Sequence, residues 1–329
     1  MLKRLALAAA TAIGLTIPAQ AELPKVLNFG IISTESAAAL EKSFSPLLEE
    51  MSKSLGVEVK PFFAADYAGI IEGMRFKKVD IAWYGNKSAI EAVDRAGGEV
   101  FAQTIKDDGA RGYHSLLLTH KDNDLSSLAD VLKCDGSKIF GNGDPNSTSG
   151  FAIPGYYVWA LNNQTPENCF KRVTRANHEG NAIAVATKKV DVATNNTESV
   201  ARLQKAKPEL AANLKEIWRS PLIPSDPMVW RKDLSPEAKS KIHYFFMQFG
   251  RFGDAEKVKA ERAILSGVGD GWGPFLASSN AQLNDVRQIE LFKKKIKAEK
   301  AGDKEAIAKI DADLEALGEL SAIIGNAGF

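Results

Sequence analysis

Short apolar runs alternate along this chain with stretches whose apolar residues recur every third or fourth position, the pattern of buried strands followed by amphipathic helices. Residues 26–32 form the first run, and Ser33-Thr-Glu-Ser36 then supplies capping side chains for a helix through about residue 55. Strand 57–63, helix 67–76, strand 79–83, the turn Tyr84-Gly-Asn86 and helix 88–96 continue the alternation. Runs 100–105 and 113–118 read as strands joined by a polar turn. The polar joint Lys121-Asp-Asn-Asp124 precedes a second round: helix 127–133, strand 138–140, helix 151–161, strand 171–174, helix 180–188, strand 190–194, a helix from Asn195 to about 206, and strand 214–218. A proline-punctuated return, 221–227, leads to a short strand at 228–230 and a helix at 236–249. The pattern predicts an α/β protein of two lobes, each with a mainly parallel sheet.

The tail differs. Segments 284–300 and 303–324 read as two amphipathic helices broken near Gly302, and Ile307, Ile310, Leu314, Leu317 and Leu320 form an apolar stripe on the second. Such a stripe packs on its own protein or on a second copy.

Composition adds compartment and charge. The chain has 329 residues, 45% hydrophobic and 25% charged, ordinary values for a globular protein of two domains. Residues 1–21 depart from this: Lys3 and Arg4, an apolar run, then Pro18-Ala-Gln-Ala21, the form of a secretory signal cleaved after Ala21. The run falls short of the roughly 18 residues a membrane span needs. Without that segment 40 basic residues face 41 acidic ones, and no electrostatic case for nucleic acid remains. Cys134 and Cys169, the only cysteines, each precede a predicted strand. In an oxidising compartment they form a disulfide or stay as two buried thiols.

The stretch richest in chemistry is Gly141-Asn-Gly-Asp-Pro-Asn-Ser-Thr-Ser-Gly150. Ser147, Thr148 and Ser149 put hydroxyls and backbone N–H groups at a helix start, where negative charge is favoured, although a Ser/Thr-rich cap without a ligand has the same form. A nucleotide P-loop is excluded, because Phe151 stands where its lysine would be. Other polar residues follow predicted strands, where α/β sheets present ligand groups: Tyr67, Tyr84, His178, Glu198 and, in the return segment, Asp226. The four histidines make no metal spacing with each other or with the cysteines, and no hydrolase or dinucleotide fingerprint is present, so neither enzyme, metal nor cofactor is expected.

Leu27-Asn-Phe-Gly-Ile-Ile-Ser-Thr-Glu-Ser36, Asp66-Tyr-Ala-Gly-Ile-Ile71, Val79-Asp-Ile-Ala-Trp-Tyr-Gly-Asn86, the segment 140–151 and Asp191-Val-Ala-Thr-Asn-Asn-Thr-Glu198 resemble the periplasmic phosphonate-binding proteins of phosphonate ABC transporters. The resemblance runs from about Val26 through Arg287. It implies a type II periplasmic-binding fold, with lobe 1 at 22–121 and 228–285, lobe 2 at 122–227, crossover strands with hinges near 119–125 and 221–228, helices on both sheet faces, and a helical extension at 286–329. It further implies that Ser147, Thr148, Ser149, Tyr113 and His178 hold a phosphonate group, that Glu198 and Asp226 hold the ammonium of 2-aminoethylphosphonate, and that Tyr67 packs beside the ligand. Cys134, Cys169 and His114 are not part of that pattern. The partners implied are the ligand and a membrane ABC permease, with a homodimer through the C-terminal helices as a further option. The alternatives to this reading are a phosphite or phosphate receptor of the same fold, a periplasmic phosphonate hydrolase and a sensory binding protein.

Overall fold

A computed structural model of the chain describes residues 23–269 and 271–326. The expected export signal lies outside them. The chain opens with β1 (Val26–Ile31), α1 (Ala37–Leu55), β2 (Glu58–Phe62), α2 (Tyr67–Arg75), β3 (Ile81–Trp83), α3 (Asn86–Arg95) and β4 (Gly98–Gln103). α1 shows how local chemistry sets these limits. The Ser36 side chain accepts from the Ala39 N–H at 3.3 Å, Leu40, Phe44, Leu47, Leu48 and Met51 make one buried face, and Gly56 at φ +69° ends the helix with its N–H on the Ser52 carbonyl.

The chain crosses through β5 (Gly112–Tyr113) into β6 (Ser115–His120), α4 (Leu128–Val131) and β7 (Ile139–Asn142). After the segment 148–162 come α5 (Pro166–Cys169), β8 (Arg172–Arg175), α6 (His178–Ala186), β9 (Val192–Asn196), α7 (Thr197–Ala206), α8 (Pro208–Ala211) and β10 (Leu214–Arg219). The chain returns through β11 (Ile223–Pro224) to β12 (Pro227–Arg231), α9 (Pro236–Gln248), α10 (Ala255–Gly267), β13 (Leu276–Ala277), α11 (Asn284–Ala301) and α12 (Lys304–Asn326). Sequence pattern alone does not reveal α10, since it buries only Glu261 and Leu265 and carries no apolar stripe.

One sheet has the order β13-β4-β12-β3-β1-β2 and the other β10-β6-β9-β7-β8, the expected two-lobed α/β arrangement. The sheets are mixed rather than mainly parallel. β1 is parallel to β2 and β3, and β7 to β8 and β9, whereas β12 is antiparallel to β3 and β4, and β6 to β9 and β10. Crossing explains the difference. Strands of the β-α units run toward the gap between the lobes, while β6 and β12 start at that gap and run away from it.

The pairing also moves the first hinge. β6 bonds wholly within the second sheet, so the chain passes between lobes at 104–114, ahead of the expected 119–125. The polar joint at Lys121 is instead the turn at the far end of β6, where its N–H donates to the Asn213 carbonyl at 2.8 Å. The second passage, 220–226, overlaps the expected 221–228. In the gap β5 and β11 pair antiparallel, Tyr113 opposite Ile223. A Cβ on Gly112 would stand 2.4 Å from the Ile223 carbonyl oxygen, so only glycine lets the two crossings meet.

Each lobe has its own aromatic core. Phe44, Trp83, Trp272 and Phe275 pack edge to face or tilted in the first, and Phe140 stacks on Phe170 at 4.8 Å beside Trp159 in the second. Cys134 and Cys169 are joined by a disulfide at the edge of that second core. The tail helix α11 spans both lobes: Arg287 makes a bidentate pair with Asp94 of α3 at 2.8 and 2.6 Å, while Phe292 stacks on Tyr156 and Lys293 lies over Phe151. α12 folds back along α11, with Ile310 buried, a Lys295–Asp311 pair at 2.6 Å, and Leu320 exposed.

Candidate functional site

Strands that end at the gap deliver their following residues into it. The stretch after β7 doubles back, Gly143 N–H donating to the Gly150 carbonyl at 3.1 Å. A Cβ on Gly143 would stand 2.6 Å from that oxygen. The helix expected from Phe151 starts three residues earlier, at Thr148, and is wound as π-helical turns over Thr148–Ala152 and Gly155–Trp159, then a 3-10 turn. Ser147 caps it by accepting from Gly150 N–H at 3.0 Å. The loose winding is a local departure of the kind that gathers at functional sites.

All eight expected site residues line one cavity between the lobes, of about 10 Å³: Tyr67, Tyr113, Ser147, Thr148, Ser149, His178, Glu198 and Asp226. That is room for roughly one water molecule, so the lobes stand closed around these side chains and must part for a ligand to enter. Tyr84 is elsewhere, fully buried in the first lobe with its hydroxyl donating to the Ile70 carbonyl at 3.0 Å.

The cavity has two chemical ends. At one, the His178 ring Nε2 lies 3.4 Å from Ser147 Oγ, 3.5 Å from Ser149 Oγ and 3.3 Å from Asn196 Nδ2, and Asn196 Nδ2 also donates to Ser149 Oγ at 3.0 Å. Burial, followed by the Arg202 charge, holds the His178 pKa down to about 3, so the ring is neutral at pH 7. This end is a set of neutral hydroxyl, amide and imidazole groups at a helix start. At the other, the Tyr113 hydroxyl donates to Asp226 Oδ1 at 3.0 Å. Burial pushes the Asp226 carboxyl well above the usual carboxylate range, and Glu198 nearby pushes it further. Burial, then the Asp226 charge, also raises Tyr67 and Tyr113, which keep their protons.

The lobes meet around this cavity. Lys87 N–H of α3 donates to Thr148 Oγ1 at 2.9 Å, Tyr67 N–H to Asp144 Oδ2 at 3.3 Å, Ser36 N–H to Glu179 Oε2 at 3.1 Å, and Glu179 N–H to the Thr34 carbonyl at 3.3 Å. Glu35 of the first lobe pairs with Arg202 of α7 in the second.

Sequence reasoning missed Arg202, Thr34, Trp83, Asn196, Gly85 and Ile32, which also line the cavity. Arg202 adds a cation to a wall whose eight expected residues carry none. It lies one helical turn after Glu198 on α7, so the spacing of four was the available signal. Thr34 and Asn196 sit in stretches that read as helix caps, and Asn196 does cap α7, its side chain accepting from Ser199 N–H at 2.7 Å.

Residues 29–283 match the family model described as the periplasmic substrate-binding protein of phosphonate ABC transporters. The chain is 53% identical over 311 residues to the phosphonates-binding periplasmic protein of Escherichia coli K12, covering 92% of this chain and 89% of that one. It is 52% identical to the crystal structure of a binding component of an ABC phosphonate transporter from Pseudomonas aeruginosa, with a TM-score of 0.81 over 92% of this chain and 97% of that one. The methylphosphonate complex of PhnD1 from Prochlorococcus marinus shares the fold, with a TM-score of 0.70 at 24% identity over 82% of this chain and all of that one. Sequence motifs and two-lobed fold thus agree with these matches, and the chain belongs to the family of periplasmic phosphonate-binding proteins of ABC transporters, which are substrate-binding components and not enzymes.

Proposed function

We propose that this protein captures 2-aminoethylphosphonate and delivers it to a membrane ABC permease. The observation that carries the reading is the pairing of a neutral, hydroxyl-rich helix start with two carboxylates, Glu198 and Asp226, in one buried cavity. A phosphonate oxyanion suits the first end, where hydroxyls and a helix start favour negative charge without a neutralising lysine. The carboxylates repel a plain anion. They become favourable when the ligand brings its own cation, which also favours the ionised form of Asp226. Calorimetric titration of one preparation is expected to rank 2-aminoethylphosphonate first, methylphosphonate well below it, and phosphite and phosphate lowest. Phosphate or phosphite binding most tightly would replace this reading with an inorganic-anion receptor. Co-purification with permease subunits, rather than with a membrane kinase or chemoreceptor, supports import over sensing.

The same family membership accommodates a homodimer through the C-terminal helices. Leu320, 48% exposed at the end of the α12 stripe, is the apolar position such a contact would cover. Leu320→Asp is expected to halve the mass in sedimentation, and an unchanged dimer mass would remove this face from the contact.

A further inference from the structure

We infer that a second cavity, between the π-wound segment of the second lobe and α11, binds an amphipathic organic anion: a small molecule with an apolar body and one carboxylate, sulfonate or phosphate group. The cavity measures about 460 Å³, within the range of small-molecule sites, and shares no lining residue with the cleft. Two helical faces build it. Phe151, Gly155 and Trp159 recur every four residues on one, and Lys293, Ile296, Lys297 and Lys300 recur at three and four on the other. The faces touch at Gly155, where a Cβ would stand 3.6 Å from Lys293 Cδ and Nζ, and the cavity opens beside that contact.

Its lining divides by chemistry. Phe151, Trp159, Ile296 and the lysine stems offer apolar surface, and Trp159 is fixed there, 4% exposed and edge to face with Phe140 of the second core at 5.4 Å. The charges are nearly all of one sign. Three lysines of α11 and Arg175, the last residue of β8, stand against a single acid, Glu167. Elsewhere on α11, Arg287 pairs with Asp94, Lys293 with Glu290 and Lys295 with Asp311, whereas Lys297 and Lys300 make no ion pair among the described residues. This imbalance is not a general feature of the surface: cavities of about 490 and 530 Å³ set four bases against four acids and two against two. An inorganic anion would leave the rings uncovered, and a neutral apolar molecule would leave the lysines without a partner. Exposed charges contribute little each, so the apolar body supplies most of the affinity and the lysines select for an anion.

The test titrates the protein with 1-anilinonaphthalene-8-sulfonate, whose emission rises in an apolar site, and with N-phenyl-1-naphthylamine, which has the same rings without the sulfonate. The sulfonate probe is expected to bind saturably and to be displaced by octanoate but not by octanol. The double variant Lys297→Gln, Lys300→Gln should weaken it by about three- to tenfold and leave the neutral probe unchanged. Ala160→Trp, which fills the cavity, should remove both probes. Equal affinity for the two probes, or sulfonate binding unchanged in the lysine variant, overturns the inference. Displacement by methylphosphonate would put the probe in the cleft and overturn it as well. Capture by phosphatidylglycerol vesicles that the lysine variant loses, with no displacement of the probe by octanoate, would assign this face to a membrane instead. Should Ala160→Trp fail to fold, the lysine variant, whose changes are at exposed positions, still decides the outcome.

Discussion

Glu198→Ala is expected to weaken 2-aminoethylphosphonate by about 1.5 to 3 kcal/mol, the range for a hydrogen bond to a charged group, while leaving methylphosphonate nearly unchanged. Glu198 stands in the first turn of α7, where the helix start favours its charge, and it lines the cavity beside Asp226. For an ammonium its removal deletes a charged partner. For methylphosphonate it deletes a repulsion. Two neighbours temper the loss. Glu198 is one of the groups that keep the Asp226 carboxyl raised, so without it Asp226 ionises more readily and takes over part of the ammonium. Arg202, one turn along the same helix, loses a nearby anion but keeps its pair with Glu35. Calorimetry on both ligands checks the outcome as a ratio. Equal losses for the two would sink the selectivity role of Glu198.

The alternation of strands and helices was legible because each unit carries its own signal: Ser36 before α1, Asp66 before α2 and Asn177 before α6 are capping side chains that announce a helix locally. Strand direction was not legible. β6 and β12 are apolar runs like their neighbours, and only their pairing across the crossing shows that they run opposite to β9 and β3. The hinge was misplaced for a related reason, since a polar turn at Lys121 looks the same in sequence whether it joins two lobes or two elements of one. The anion end of the site was legible from a contiguous run, Ser147 to Ser149. Glu198, Asp226, Tyr67 and His178 could be singled out because they follow strands, and the family resemblance was needed to give them roles and to add Tyr113. Trp83, Thr34 and Arg202 stayed hidden. An aromatic at a strand end, a threonine in a cap and an arginine on a helix have commoner uses, and only the cavity brings them together.

Acidifying the ligand-free protein from pH 7 to pH 4 should cost the wild type more stability than His178→Gln, by on the order of 3 kcal/mol. His178 opens α6, and its ring faces only neutral groups, Ser147, Ser149 and Asn196, at 3.3 to 3.5 Å. The charge that bears on it is Arg202, of the same sign as a protonated imidazole. Its pKa is therefore about 3 when folded, against about 6.5 for an unfolded histidine. A base depressed in this way binds its proton more tightly in the unfolded chain. The stability it contributes is fully present above about pH 6.5 and is lost as the pH falls toward 3. Asp226 acts with the opposite sign, because its raised carboxyl takes up a proton in the folded state more readily than in the unfolded one. Both proteins in the comparison carry Asp226, so its contribution cancels in the difference. Chemical denaturation at pH 7 and pH 4 measures it, and parallel losses in the two proteins would remove His178 from the acid response. A phosphonate seated at Ser147 to Ser149 would place negative charge beside the same imidazole and raise its pKa. Saturating methylphosphonate should then flatten the wild-type profile between pH 7 and 5 more than that of His178→Gln, the ligand's own titration being common to both, which ties the buried neutral histidine to the anion end of the cavity rather than to packing.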